Sequence, residues 1–213
     1  MLGLLLAATT GAAAAAIPTG DKPELSLPAA HSFRSGIVVG LSLGVGIGRG
    51  SGYPNESSRI GDPSYYWASG WMPGTGESLF VMGAFADYFS FGFFYQSAVY
   101  RNGDFRSRGE GGGLRMEAFP LAVVYPRLAG LGAFAEFGIG SANLDSTKVV
   151  NVPEAAGTQS FGGVGVFYEW AFGHVFGGHF AAGPSFEYDA IWTQPFDRHG
   201  LLASLRVAFY GGP

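Results

Sequence analysis

Between Gly36 and Gly48 the odd positions Ile37, Val39, Leu41, Leu43, Val45 and Ile47 are all aliphatic. The even positions Val38, Gly40, Ser42, Gly44, Gly46 and Gly48 are nearly all small. A period of two sends alternate side chains to opposite faces of a strand, so one face is apolar and the other almost bare. A soluble sheet would carry Lys, Glu or Thr on its second face. A bare second face instead fits a strand with lipid outside and a crowded barrel lumen inside. The glycines also recur every four residues, the spacing that lets transmembrane helices approach closely. Length decides against a helix, because the uncharged run between Arg34 and Arg49 falls short of the ~20 apolar residues a spanning helix needs. It suits the ~9–11 residues of a tilted membrane strand.

The same alternation continues along the chain. A second strand over 78–86 is expected to face Phe80, Met82, Ala84 and Ala86 outward, with a tight turn at Asp87-Tyr88. A third over 89–100 sets Phe89, Phe91, Phe93, Tyr95 and Val99 outward, the change of parity expected across a two-residue hairpin. A fourth over 113–125 places Leu114, Met116, Ala118, Ala122 and Val124 outward, with Pro120 at a local weakness. Strands over 131–143, 161–172, 177–190 and 200–210 follow, with Val166, Phe186, Leu205 and Val207 among their outward residues. The sum is about eight strands, an allowed even number for a bacterial single-chain barrel. The expected connections run long, short, medium, short, long, short, medium. That rhythm fits an all-β, antiparallel up-and-down transmembrane barrel with short periplasmic turns and longer extracellular loops.

On this strand pattern and loop rhythm, residues 36–210 resemble the small bacterial outer-membrane β-barrel proteins of the OmpA transmembrane-domain, OmpX and OmpW-like type. The resemblance implies the outer membrane as location, with outer-membrane lipid and lipopolysaccharide as surroundings. It also implies folding by the barrel-assembly machinery, which recognises an aromatic on the closing strand. Leu205, Val207, Phe209 and Tyr210 look like that strand, although Gly211-Gly212-Pro213 follows it. Proteins of this group serve structural, adhesive or membrane-integrity roles, and a few are narrow channels or lipid enzymes.

The ends and loops complete the domain plan. Residues 1–16, with a leucine core and an alanine-rich end, read as a signal peptide lacking a basic n-region. Residues 17–35, with three prolines among charges, read as a periplasmic lead-in to a barrel domain over 36–213. The expected loops 50–76, 102–112, 144–160 and 191–199 are where an extracellular ligand would bind, and none carries a motif. Tyr65, Tyr66, Trp67 and Trp71 fit membrane-rim and loop packing better than a stacking site. Asn55-Glu56-Ser57 matches a glycosylation sequon, a pattern that is common by chance.

Composition sharpens this picture in three places. Charged residues are 13% of the chain, against about 25% in soluble domains, so half of the usual solvating charge is missing. The exposed aromatics this implies also argue against a soluble lipocalin-type barrel, whose exterior would be charged. A net charge of -4 offers no basic footprint for nucleic acid. The absence of cysteine excludes thiolate chemistry and disulfide scaffolds.

Candidate chemistry lies on the inferred inner face: Arg115, Glu117, Glu136, Glu169, Glu187, Asp189 and Arg206, with His179. An eight-stranded interior is just wide enough for side chains to fill. These groups should therefore form arginine–carboxylate networks in room left by inward glycines. Glu136 and Glu169 are expected at similar depth. Carboxylates outnumber arginines in this set, which suggests a narrow, cation-leaning path as the alternative to a plug. His179, Ser185 and Glu187 share one strand parity but face inward, away from any lipid substrate of a deacylase or acyl-transfer enzyme. Metal spacing, a phosphate loop and a cofactor fingerprint are not found, so no cofactor is expected. The reading is a non-enzymatic barrel with a structural or surface-interaction role.

Overall fold

The computed structural model describes residues 34–122, 124–146, 148 and 158–212. The expected signal peptide, most of the 17–35 lead-in and Pro213 lie outside the described residues. Eight long strands form the fold: β1 (Gly36–Gly52), β2 (Met72–Ala86), β3 (Phe89–Arg101), β4 (Phe105–Ala118), β5 (Leu131–Ser146), β6 (Gln159–Tyr168, resumed over Trp170–Val175), β7 (Gly178–Thr193) and β8 (Phe196–Gly211). Each pairs antiparallel with its neighbour in sequence, and β8 closes on β1. Every edge is thereby abolished, as a membrane-spanning sheet requires.

The register fixes the tilt. Starting at Gly40, the paired residues are Phe80, Phe94, Gly113, Gly138, Phe161, Ile191 and Arg198, and the path returns to β1 at Gly50. One circuit thus climbs from residue 40 to residue 50, a stagger of ten residues. A stagger of this kind tilts the strands to roughly 35–45° and leaves a lumen that side chains can fill.

The outer wall is apolar. Ile37, Leu41, Leu43, Val45, Phe93, Val166, Phe186 and Leu205 are exposed, and Phe91 and Val207 half-exposed. Val45, Phe93 and Phe186 keep 65%, 68% and 60% of their surface open, which in water would be an untenable apolar patch and in a bilayer is the lipid contact. Aromatics ring the end where β1 begins and β8 ends, with Phe85, Tyr88, Tyr125, Trp170, Phe172 and Phe176 all exposed. Phe176-Gly177 makes the tightest turn there, with φ of 55° and 75°, the doubly left-handed geometry that matches strand twist in a hairpin.

Four sequence expectations need correcting. First, β2 has the opposite parity: Phe80 and Met82 are buried inside, whereas Leu79, Val81 and Phe85 face out. The cause is a register shift between Ala84 and Ala86, a bulge that undoes the parity change of the Asp87-Tyr88 turn. Second, β4 ends at Ala118, and Ala122 and Val124 belong to the 119–130 connection, where Pro126–Leu128 forms a short 3-10 turn. Pro120 cannot donate to the ladder, so the strand stops before it. Third, most of the expected 102–112 and 191–199 loops is strand, and the true turns are Asn102–Asp104 and Gln194-Pro195. These hairpins carry the sheet beyond the apolar band. Fourth, Glu136 and Glu169 differ in depth, since Glu136 lies opposite Gly163, six residues before Glu169 on β6.

Candidate functional site: the charged lumen

Interior side chains come from the strand faces opposite the lipid. The ladder between β6 and β7 is interrupted opposite Pro184, which lacks an N–H. Glu169 sits in the interruption, donating its backbone N–H to the Gly130 carbonyl and sending its carboxylate inward. On β4 the alternation puts Arg115 and Glu117 inside, both 1% exposed. Arg206 reaches in from β8 with no exposure at all.

Together these groups form one alternating chain of charge. Glu136 accepts from Arg115, whose Nε donates to Glu117 at 2.8 Å. Arg206 grips Glu117 with both terminal nitrogens, at 2.6 and 2.8 Å. Its Nε lies 3.5 Å from Glu169. Glu169 also accepts from Arg34 at 3.1 Å and from the Tyr210 hydroxyl at 2.7 Å. Burying unpaired ions would cost several kcal/mol each, so alternation of sign is what makes this interior tolerable.

Aromatic faces complete the packing. Arg115 lies 3.8 Å over the Phe134 ring and 4.7 Å from that of Phe80. Arg206 lies 4.3 Å from Phe80 and 4.2 Å from Phe167, and Arg34 lies 3.6 Å over Phe119. A guanidinium flanked by rings keeps favourable electrostatics where water is excluded. Inward glycines make the room: a Cβ at Gly40 would come within 2.1 Å of the Phe80 ring, and one at Gly48 within 2.2 Å of Tyr100.

A second cluster lies nearer the hairpin end. Arg198 donates to Asp189 at 2.7 Å and to the Ala98 carbonyl at 3.3 Å, and lies 4.9 Å from the Tyr100 ring. Glu187, on the same face of β7, is buried as well. Phe94 and Phe161 are buried in the same interior, with ring centroids 5.2 Å apart.

The structure thus brings Arg115, Glu117, Glu136, Glu169 and Arg206 into one network, and Asp189 into another. Arg34, Arg198 and Tyr210 are further members. Arg198 falls in the expected 191–199 loop, and Tyr210 was read only as part of an assembly strand. Arg198 shares the even parity of Arg206, so extending β8 past Gly200 would have found it. Arg34 precedes any periodic segment, and no pattern marks it. His179, Ser185 and Glu187 do lie on one face of β7, but six residues from 179 to 185 span about 20 Å of strand. They cannot meet as a triad. Among the described residues no group of acids and histidines is arranged to hold a metal ion.

At the rim where β1 ends, residues 53–71 fold back beside β1. Trp67-Ala68 pairs with Ser51-Gly52, Ser69 is hydrogen bonded to the Gly50 N–H, and Asn102 donates to the Ser69 carbonyl at 3.5 Å. Tyr66 and Trp71 are exposed, Tyr66 meets Tyr53 edge-on, and Arg49 lies over Trp71. Asp62 caps the 3-10 turn at Pro63–Tyr65, and the Ser64 N–H and hydroxyl hold its carboxyl below the usual carboxylate range.

No protein-family model and no curated protein sequence matches the chain. Among solved structures it is similar to Ail, the attachment invasion locus protein of Yersinia pestis, with 12% identity and a TM-score of 0.48 over 82% of this chain and 99% of that one. It is also similar to neisserial surface protein A, with 12% identity and a TM-score of 0.40 over 81% and 97%. OprG of Pseudomonas aeruginosa gives 8% identity and a TM-score of 0.32 over 84% and 97%. The chain's own closed register and apolar exterior make it a small eight-stranded outer-membrane β-barrel.

Proposed function

We propose that this barrel is a non-enzymatic structural element of the outer membrane, a sealed wall that contributes membrane integrity and presents its hairpin rim to the exterior. The observation that carries the reading is the continuous chain Glu136–Arg115–Glu117–Arg206–Glu169–Arg34, buried and flanked by aromatic rings across the lumen. A cation-leaning path drew its support from five inward carboxylates against two arginines. Arg34 and Arg198 raise the buried arginines to four among the described residues, which leaves little net charge to attract cations. At the lipid face the hydroxyl beside a histidine is the Tyr188 phenol, 2.7 Å from His199 Nδ1, and not a serine of the kind an acyl-transfer triad uses.

Conductance across planar bilayers tests the seal. The reconstituted protein should be silent, and neutralising Glu136 or Glu187 should leave it so. A steady cation-selective current that falls on Glu136→Gln or Glu187→Gln would replace the structural reading with a pore.

A further inference from the structure

The turn at Phe176-Gly177 carries two of the chain's four histidines on its flanks. Two residues in the left-handed region close a two-residue hairpin, and Val175 and Gly178 form its first cross-strand pair. In such a hairpin the pair beside the turn exchanges both backbone hydrogen bonds. The pair after it is non-hydrogen-bonded, the type whose Cα atoms approach to about 4.5 Å with side chains closest. That second pair is His174 and His179.

A bulge makes this pairing possible. In a regular strand His174 would share the face of Phe172, two residues before it. The register instead shifts between Phe172 and His174, where Gly173 takes a φ of 66°. The extra residue turns His174 onto the face of His179, a re-aiming for which bulges are used. On its other side His179 stands opposite Tyr210 in the ladder, and the two rings stack at 5.7 Å and 19°. One imidazole is thus positioned by packing, and the other is exposed beside it. The segment that carries His174 is lightly tied. Trp170–Val175 pairs with β7 alone among the described strands, and all six of its residues are exposed.

We propose that His174 and His179 form a two-histidine site for a divalent transition-metal ion, which clips β6 to β7 across the Phe176-Gly177 hairpin. Two imidazoles on one ion bind at about 2.0–2.1 Å and so bring their ring nitrogens to roughly 3 Å from each other. A non-hydrogen-bonded cross-strand pair is the arrangement in a sheet that allows this approach. Imidazole suits copper, nickel and zinc, and the usual order of affinities puts Cu(II) first. No cluster of three or more acids and histidines is arranged around a metal position among the described residues. The protein therefore supplies two ligands here, and water completes the coordination. The site goes beyond the sealed-wall reading and is independent of whether the lumen conducts.

The test is titration of the full chain in neutral detergent micelles with Cu(II), Zn(II) and Mg(II), read by calorimetry and, for Cu(II), by electron paramagnetic resonance. Cu(II) should bind tightest, Zn(II) more weakly and Mg(II) not at all. The copper spectrum should show coupling to two nitrogens. Removing a group that only supports a metal ligand costs about 10–100-fold in affinity, so H174A and H179A should each cost at least that much. H174A/V175H keeps the number of histidines but moves one to the opposite face, and should not restore binding. H31Q and H199Q should leave binding unchanged. Cu(II) should also raise the unfolding midpoint of the parent and not that of H174A, because the pair meets only in the folded hairpin. Heat-modifiable migration checks that each variant is folded, and His174 is exposed, so H174A serves if H179A misfolds. Parent-like affinity in H174A or H174A/V175H, or an equal loss in H31Q or H199Q, overturns the site. A copper spectrum with a single nitrogen, or Mg(II) binding as tightly as Cu(II), overturns it as well.

Discussion

Two groups of arginines divide this molecule. Arg34, Arg115, Arg198 and Arg206 lie within the barrel at no more than 3% exposure, each gripping a carboxylate and lying against an aromatic ring. Arg101, Arg106 and Arg108 lie exposed on its outer face, with Asp145 opposite Arg106 in the ladder. Parity alone separates them, since Arg115 and Arg108 occupy one strand at odd and even positions. The inner group is held by buried ion pairs, and the outer group is exposed. The inner arginines hold a low-dielectric lumen together, where losing a partner is severe. The outer ones sit in a screened environment where single charges matter little to folding.

The largest effect should come from breaking the inner group. Glu117 accepts from both Arg115 and Arg206, so Glu117→Ala leaves two buried cations short of their counter-ion. The expected loss is about 3–5 kcal/mol in urea unfolding followed by heat-modifiable migration. Replacing Arg115, Glu117 and Arg206 together by apolar residues of similar volume should cost much less, because no charge is then stranded. A Glu117→Ala protein as stable as the parent would erase the distinction between the two groups.

How much of this could be read beforehand differs between the two faces. The outer wall was legible almost everywhere, because period-two alternation is a local property and lipid contact tolerates any sizeable apolar residue. It misled at β2, where one extra residue at Ala84–Ala86 reverses the faces of Leu79 and Phe80. A bulge leaves no mark in an Ala-Phe-Ala run. The inner charges on regular strands, such as Arg115, Glu117 and Arg206, were legible from the same alternation. Their pairing was not, because partners such as Arg206 and Glu117 are 89 residues apart and meet only through barrel stagger. Arg198 was hidden because TQPFDRHG looks like a loop by composition and is a hairpin with a two-residue turn.

A smaller effect separates the faces of β1. At Gly40 and Gly48 the Cβ of any larger residue collides with the Phe80 and Tyr100 rings, both of which are buried. Gly44 and Gly46 have the Ser204 hydroxyl and the Leu201 carbonyl in that place. Gly40→Leu or Gly44→Leu should therefore cost about 1–3 kcal/mol by overpacking. Val45→Leu, with 65% of its surface toward lipid, should stay within about 0.5 kcal/mol. Equal tolerance on both faces would mean that the lumen is far looser than the inner network requires.

The smallest effect lies on the outer face. Arg101 and Arg106 face each other, with Asp145 opposite Arg106 on its other side and none opposite Arg101, so in neutral detergent at low ionic strength Arg101→Gln should stabilise the protein, by about 0.2–1 kcal/mol. Raising the salt to about 1 M shortens the screening length to about 3 Å and should abolish the gain. Comparing unfolding midpoints of parent and variant at these two salt concentrations isolates the outer arginines from everything inside the barrel. Loss of stability in neutral detergent would show that the hairpin arginines are held by the protein itself. The contrast between an inner group on which the fold depends and an outer group it can do without would then collapse.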